Sequence, residues 1–209
     1  MTPASEITAR FVGDVAIVRL DRGERLNAFT PAMFALLERM LDDLAIRPGL
    51  AGVVLTGTGR GFCAGEDLES MEALAEVGIG RARRELERVQ GLTRRLLALP
   101  VPVVAAINGV AAGLGAELPL GCSIRVAVPD AYFVFPEARR GLVETNATFH
   151  LLPRIVGSAV AAEWLLTARR IPAVEALRRG LVSELVPADR LVERAIALGA
   201  GHRVLPAHP

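Results

Sequence analysis

Apolar positions follow two periods along this chain. DVAIVRL (Asp14 to Leu20) and AGVVLTG (Ala51 to Gly57) are short β-branched runs bounded by turn residues, which predicts buried strands. Between them Thr30 and Pro31 open a segment in which Phe34, Leu37, Leu41 and Leu44 recur every three or four residues. That spacing predicts an amphipathic helix with a threonine cap and a proline in its first turn. A polar helix is expected from about Gly80 to Ala98, followed by the strand VPVVAAI (Val101 to Ile107). Two further short strands are expected at Ile124 to Val128 and Tyr132 to Phe135, with a helix-rich end from about Phe149 onward. Strands alternating with helices imply an α/β architecture with covered sheets.

From Leu96 to Ala116 there is no charge, a run long enough to span a bilayer. Pro100, Pro102, Asn108, Gly109, Gly113 and Gly115 interrupt it, so it reads as a buried strand and a glycine-rich turn into a helix. No repeat or low-complexity segment stands out. The one compositional shift, near Phe149, divides the chain into a core (1–148) and a helical C-terminal segment (149–209) expected to serve oligomerisation. The tail GHRVLPAHP carries no closing helix pattern, which predicts truncation or disorder there.

Composition narrows the chemistry. The 209 residues carry a net charge of +1, so no overall field draws the molecule to nucleic acid or to an anionic membrane. All 24 basic residues are arginines, which leaves no Schiff-base lysine and no P-loop lysine. Cys63 and Cys122 make no disulfide framework, MTPASEITAR lacks a signal pattern, and the expected compartment is the reducing cytoplasm. His150, His202 and His208 share no metal-ligand spacing with either cysteine, so no metal is expected, and Cys63 reads as a packing residue. GRARRELERVQGLTRR (Gly80 to Arg95) raises nucleic-acid binding as an alternative. Glu85 and Glu87 interleave with its arginines and aromatics are missing, which favours a solvated helical face.

Two stretches share one design. VVLTGTGRGFCAGED and VVAAINGVAAGLGAE each run from a buried strand through glycines to a probable helix start, and one of the two is followed by a glutamate. Outward N–H groups at such turns suit a developing oxyanion.

ERLNAF (Glu24 to Phe29), VVLTGTGRGFCAGEDL, PVPVVAAINGVAAGLGAEL and FVFPEARRGL, in that order and spacing, resemble the crotonase or enoyl-CoA hydratase/isomerase superfamily. The likeness runs from about Val12 to Val186 and includes RRGLVSELVP. It implies a spiral of ββα units that binds an acyl-CoA thioester, with coenzyme A part of the substrate and no separate cofactor. It implies an oxyanion hole from the backbone N–H groups of Glu66 and Leu114, and a catalytic pair of Glu117, acting on water, and Glu137, acting on the C2 proton. Coenzyme A binding falls by the same analogy to Arg25, Leu26, Ala28, Ala64, Gly65, Asp67, Leu68 and Gly113, with Arg22, Arg25 and Arg60 as possible phosphate partners. A basic residue that the family places two positions after Asp67 is Glu69 here.

Two retained glutamates favour an enoyl-CoA hydratase of fatty acid metabolism, because water addition to a C2–C3 double bond needs a base and an acid. An isomerase, a thioester hydrolase of the same fold and a non-catalytic acyl-CoA binder stand as alternatives. The family's LxPGxGG-like stretch is replaced here by GLVETNATF (Gly141 to Phe149). Arg139 or Arg140, if close to Glu137, would lower its pKa, and Pro119 would disturb a helix continuing past Glu117. Met71, Leu74 and Phe149 are the expected acyl-pocket walls. The stripe of Val160, Trp164 and Leu165 is expected to pack against neighbouring subunits of a homotrimer or a dimer of trimers.

Overall fold

The computed structural model describes residues 6–67 and 79–201. Two sheets form its frame. The larger has six strands in the order β1 (Ile7–Val12), β2 (Val15–Leu20), β3 (Gly52–Gly57), β5 (Val103–Ile107), β7 (Ile124–Ala127) and β10 (Glu184–Leu185). The smaller runs β4 (Gly61–Cys63), β6 (Val110–Ala112), β8 (Tyr132–Val134) and β9 (Ile171–Pro172). Among the described residues only β1–β2 and β8–β9 pair antiparallel, and every other pairing is parallel.

The connectivity explains the parallel order. Each of β3, β5 and β7 leaves the large sheet and continues at once into β4, β6 or β8 of the small one. Three such turns, stacked side by side, make the spiral. β5 is buried throughout and β3 in all but its last residue, Gly57, as parallel strands covered on both faces must be.

The helices are α1 (Pro31–Ala45), α2 (Ile79–Ala98), α3 (Leu114–Glu117), α4 (Thr148–Val156), α5 (Ser158–Thr167), α6 (Ala173–Arg178) and α7 (Leu191–Ala200). α1 starts as its sequence dictates: the Thr30 hydroxyl accepts from the Met33 N–H at 3.2 Å and Pro31 occupies the first turn. Its buried face is Met33, Phe34, Leu37, Leu41 and Leu44.

Several expectations are corrected. The first strand is ITARFV, missed because only Ile7 of the six is buried; the exposed remainder shows no core-facing pattern. The glycine turns contain three-residue strands too short to carry a period. Pro119 breaks nothing, because α3 stops at Glu117 and the chain passes into a 3₁₀ turn, Leu118–Gly121, whose first turn accommodates a proline. The Val160, Trp164 and Leu165 stripe faces inward: Trp164 and Leu165 are buried in this chain's own core and Val160 packs against it. Among the described residues no helix is long and apolar enough to cross a membrane.

Candidate active site

The successive links between the two sheets deliver their glycine turns to one place. Residues 22–29 form the first wall. Leu26 and Asn27 sit in the left-handed region (φ 50° and 58°), a conformation that asparagine tolerates better than most residues. Fully buried Asn27 fastens the turn: its Nδ2 donates to Thr58 O at 3.0 Å and Gly61 O at 2.8 Å, and its Oδ1 accepts from the Arg22 N–H at 2.9 Å. The Ala64 N–H then donates to Leu26 O at 2.9 Å, and Phe29 lies in a parallel bridge with Glu66.

That bridge orients Glu66. The Phe29 N–H donates to Gly65 O and the Asp67 N–H to Phe29 O, at 2.8 and 2.9 Å. In such a parallel pairing the intervening residue turns its own N–H away from the neighbouring segment. Gly65 (φ 105°) and Gly113 (φ 52°) both need positive φ, and the two turns touch: a Cβ on Gly113 would lie 3.9 Å from Gly65 Cα, and one on Gly65 3.8 Å from Leu114 N. Leu114 opens α3, and its N–H has no acceptor among the described residues. Gly115 is required for a different reason, since a Cβ there would run into the backbone carbonyl of Cys63.

Glu66, Leu114, Glu117 and Glu137 line one cavity of about 690 Å³, with Arg25, Ala28, Ala64, Gly65, Asp67 and Gly113 also on its wall. Glu117 is 4% exposed, and its Oε1 accepts from the Thr148 hydroxyl at 2.8 Å. Burial pushes the Glu117 carboxyl up to about 8, and the Glu137 charge adds to the rise while the Thr148 bond opposes it. Glu137 is pushed up to about 7, mainly by burial; its own N–H opposes the rise and the Glu144 charge reinforces it. Arg140 does approach Glu137 and lowers its pKa as anticipated, but burial outweighs it, and Arg139 is exposed with its guanidinium on Thr167 O.

Other expected site residues are distributed differently. Leu68, Glu69, Met71 and Leu74 lie outside the described residues. Phe149 is exposed and does not line the cavity, whose wall on that side is Leu142, Val143 and Thr145. Leu26 stands behind the wall as the acceptor for Ala64. Arg22 is committed to Asp67 at 2.7 Å and to Glu6 at 3.4 Å, and Arg60 does not line the cavity. Cys63 is fully buried and its thiol is pushed up to about 12 by burial, the profile of a packing residue. Among the described residues no group of three or more His, Cys, Asp or Glu is arranged to hold a metal ion.

Asn27, Thr148 and Glu144 were not singled out for roles by sequence reasoning. Asn27 had a signal, an asparagine set between Leu26 and Ala28 within the ERLNAF motif. Thr148 had none, because its partner is 31 residues away.

Glycine turns meeting over buried Glu117 and half-buried Glu137 define one site on this fold, and comparison with known proteins assigns the family. The model of the enoyl-CoA hydratase/isomerase family matches residues 10–203. The chain therefore belongs to that family, the crotonase superfamily, and is an enzyme of its hydratase or isomerase kind. It is 39% identical to a Thermus thermophilus protein named, provisionally, as an enoyl-CoA hydratase, over 89% of this chain and 73% of that one. It is 37% identical to the 1,2-epoxyphenylacetyl-CoA isomerase of Escherichia coli, over 87% of this chain and 70% of the relative. The crystal structure of enoyl-CoA hydratase from Bacillus anthracis superposes with a TM-score of 0.89 at 32% identity, covering 94% of this chain and 76% of that one.

Proposed function

We propose that the protein is an enoyl-CoA hydratase that adds water across the C2–C3 double bond of a 2-enoyl-CoA to give a 3-hydroxyacyl-CoA. The observation that carries this reading is the pair of carboxyls, buried Glu117 and half-buried Glu137, on the wall of one cavity with pKa values raised toward neutrality. Groups coupled in this way lose their protons in two steps, and because Glu117 is raised higher, to about 8 against about 7 for Glu137, hydration runs through the less populated singly protonated state, in which Glu117 is ionised and Glu137 carries the proton. Ionised Glu117 takes a proton from water as the oxygen bonds to C3, and protonated Glu137 delivers its proton to C2. The thioester oxygen, which gains charge as C3 is attacked, is received by the N–H groups of Glu66 and Leu114. Coenzyme A comes as part of the substrate, against the turns at 25–28 and 64–67, with Arg25 at the cavity wall as a phosphate partner. No separate cofactor is required.

The second reading is double-bond isomerisation, which accords with the isomerase half of the matched enoyl-CoA hydratase/isomerase family and needs only one proton-transferring carboxyl. A panel of 2-enoyl-, 3-enoyl- and 3-hydroxyacyl-CoA thioesters, with products identified by mass and chromatography, separates the readings. Hydration adds a water, isomerisation leaves the mass unchanged and hydrolysis releases free coenzyme A. Glu117→Gln and Glu137→Gln are each expected to lower kcat for hydration by roughly 10² to 10⁴ with little change in thioester affinity. Full hydration by Glu137→Gln would rule out the two-carboxyl mechanism. Assembly as a homotrimer or a dimer of trimers, in reducing cytoplasm, belongs to the same reading, and light scattering after size exclusion measures it.

A further inference from the structure

We infer that Thr148 is a positioning residue whose hydroxyl holds one oxygen of Glu117, so that the carboxylate meets water with its other oxygen and in its ionised form. This rests on reading Glu117 as the base of the site. The chain enters α4 through Ala147 in the left-handed region (φ 64°), where alanine is uncommon, and the His150 and Leu151 N–H groups donate to Ala147 O at 3.0 and 2.9 Å. α4 packs on the 3₁₀ turn Leu118–Gly121, which follows Glu117 directly. Its first residue, Thr148, is thereby set against the end of α3.

Both partners are withdrawn from solvent, Thr148 fully and Glu117 to 4% exposure. A threonine near a helix start ordinarily turns its hydroxyl to nearby backbone. Here the hydroxyl reaches a side chain 31 residues away and donates to Glu117 Oε1 at 2.8 Å. An ionised carboxylate offers acceptors only, and a hydroxyl bonds it more strongly than the neutral acid. The bond engages Oε1 and leaves Oε2 to act on water in the cavity that Glu117 lines. Glu117 also closes the one-turn helix α3 that Leu114 opens, so the base and an oxyanion donor ride on one short element. The hydroxyl fixes the direction of the first relative to the second.

The charges around Glu117 give this bond its weight. Burial raises the Glu117 pKa and the charges of Glu137, Glu144 and Glu66 raise it further, leaving the Thr148 bond to favour ionisation. The elements packed against α3, namely β4, β6 and the 3₁₀ turn Leu118–Gly121, carry no Asp, Glu, Arg or His, and Cys63 of β4 is pushed up to about 12. On α4, His150 and Arg154 are exposed, and Arg140 on the cavity wall acts on Glu137. Without the hydroxyl, the state with Glu117 ionised and Glu137 protonated, already the less populated one, becomes scarcer.

Infrared difference spectroscopy of the carboxylic-acid C=O stretch, followed through a pH titration, tests this without requiring turnover. A band titrating near 8 in the wild type is expected to vanish in Glu117→Gln. In Thr148→Val, which keeps the shape of threonine without its donor, the midpoint is expected to rise by about one unit, roughly tenfold in acidity. Thr148→Ser, which keeps the donor, is expected to return it close to the wild-type value, and Thr148→Ala replaces the valine variant if that does not fold. In turnover, KM is expected to stay near wild type, and the kcat/KM loss of Thr148→Val to be several-fold greater at about pH 6 than at about pH 9, where protons compete less for Glu117. A midpoint that stays put in the variants without the donor, a serine variant that titrates like valine, or a loss uniform across pH overturns the inference. If the midpoint moves but the wild type hydrates no enoyl-CoA, the positioning of Glu117 stands and the hydratase reading falls.

Discussion

A carboxyl group withdrawn from water is costly to ionise, and Glu117 carries that cost in the folded chain. Its pKa is raised from 4.5 to about 8, first by burial and then by Glu137, against the pull of the Thr148 hydroxyl. A carboxyl whose folded pKa is raised binds its proton more tightly in the native state than in the unfolded one. Its stabilising contribution is full below the unfolded value and is lost as pH rises through about 8; Glu137, raised to about 7, acts in the same direction. Wild-type unfolding free energy is therefore expected to fall by on the order of 3 kcal/mol or more between about pH 5 and about pH 9. In Glu117→Gln, which keeps shape and has nothing to ionise, the fall should be markedly smaller. Urea titrations of both proteins at the two pH values measure it, and equal slopes would show that Glu117 ionises as freely folded as unfolded.

At the scale of the element, the turn 64–67 and the start of α3 act as one unit, because Gly65 and Gly113 pack against each other. If the donor at position 66 is main chain, Glu66→Ala should keep hydration within about tenfold, whereas Glu66→Pro, which deletes the N–H, should cost about 100-fold or more. Equal losses in kcat/KM would move the role to the side chain. Much of this unit was legible in the sequence: glycines after β-branched runs announce strand exits, and the ordered motifs announced the family. β8 was legible as the strand expected at Tyr132 to Phe135, but β4 and β6 were not, since they are three residues each and their parallel neighbours come from distant parts of the chain. Nor was the inward turn of Trp164, because an apolar stripe on a helix does not say which surface covers it; here the covering surface belongs to the same chain. Glu144 was visible only as a departure from the family's glycine-rich stretch.

At the scale of the molecule, the C-terminal segment is woven into the frame that holds the site. It adds β9 to the small sheet and β10 to the large one, and Arg125 of β7 donates to Leu181 O at 2.6 Å and to Cys122 O at 2.7 Å, tying that segment to the 3₁₀ turn after α3. α7 lies against β3 and β5, and at Gly199 over Gly52 the two meet backbone to backbone. The two glycines are not equivalent. A Cβ on Gly52 would be driven into the backbone carbonyl of Gly199, which cannot give way without lifting the helix, whereas a Cβ on Gly199 would meet Val15, Val104 and Gly52 at 3.7, 3.8 and 3.9 Å, ordinary contact distances. Gly199→Ala is therefore expected to be neutral or to stabilise by up to about 1 kcal/mol through helix propensity. Gly52→Ala is expected to destabilise by about 1–3 kcal/mol as α7 shifts on the sheet. Chemical denaturation of the two variants side by side checks the asymmetry, and a reversed order would mean that α7 does not dock through Gly52. Because β3 leads into the 64–67 turn and β5 into Gly113, loosening α7 should also reduce kcat/KM in Gly52→Ala while Gly199→Ala keeps it, a loss transmitted through the sheet to residues that neither substitution touches.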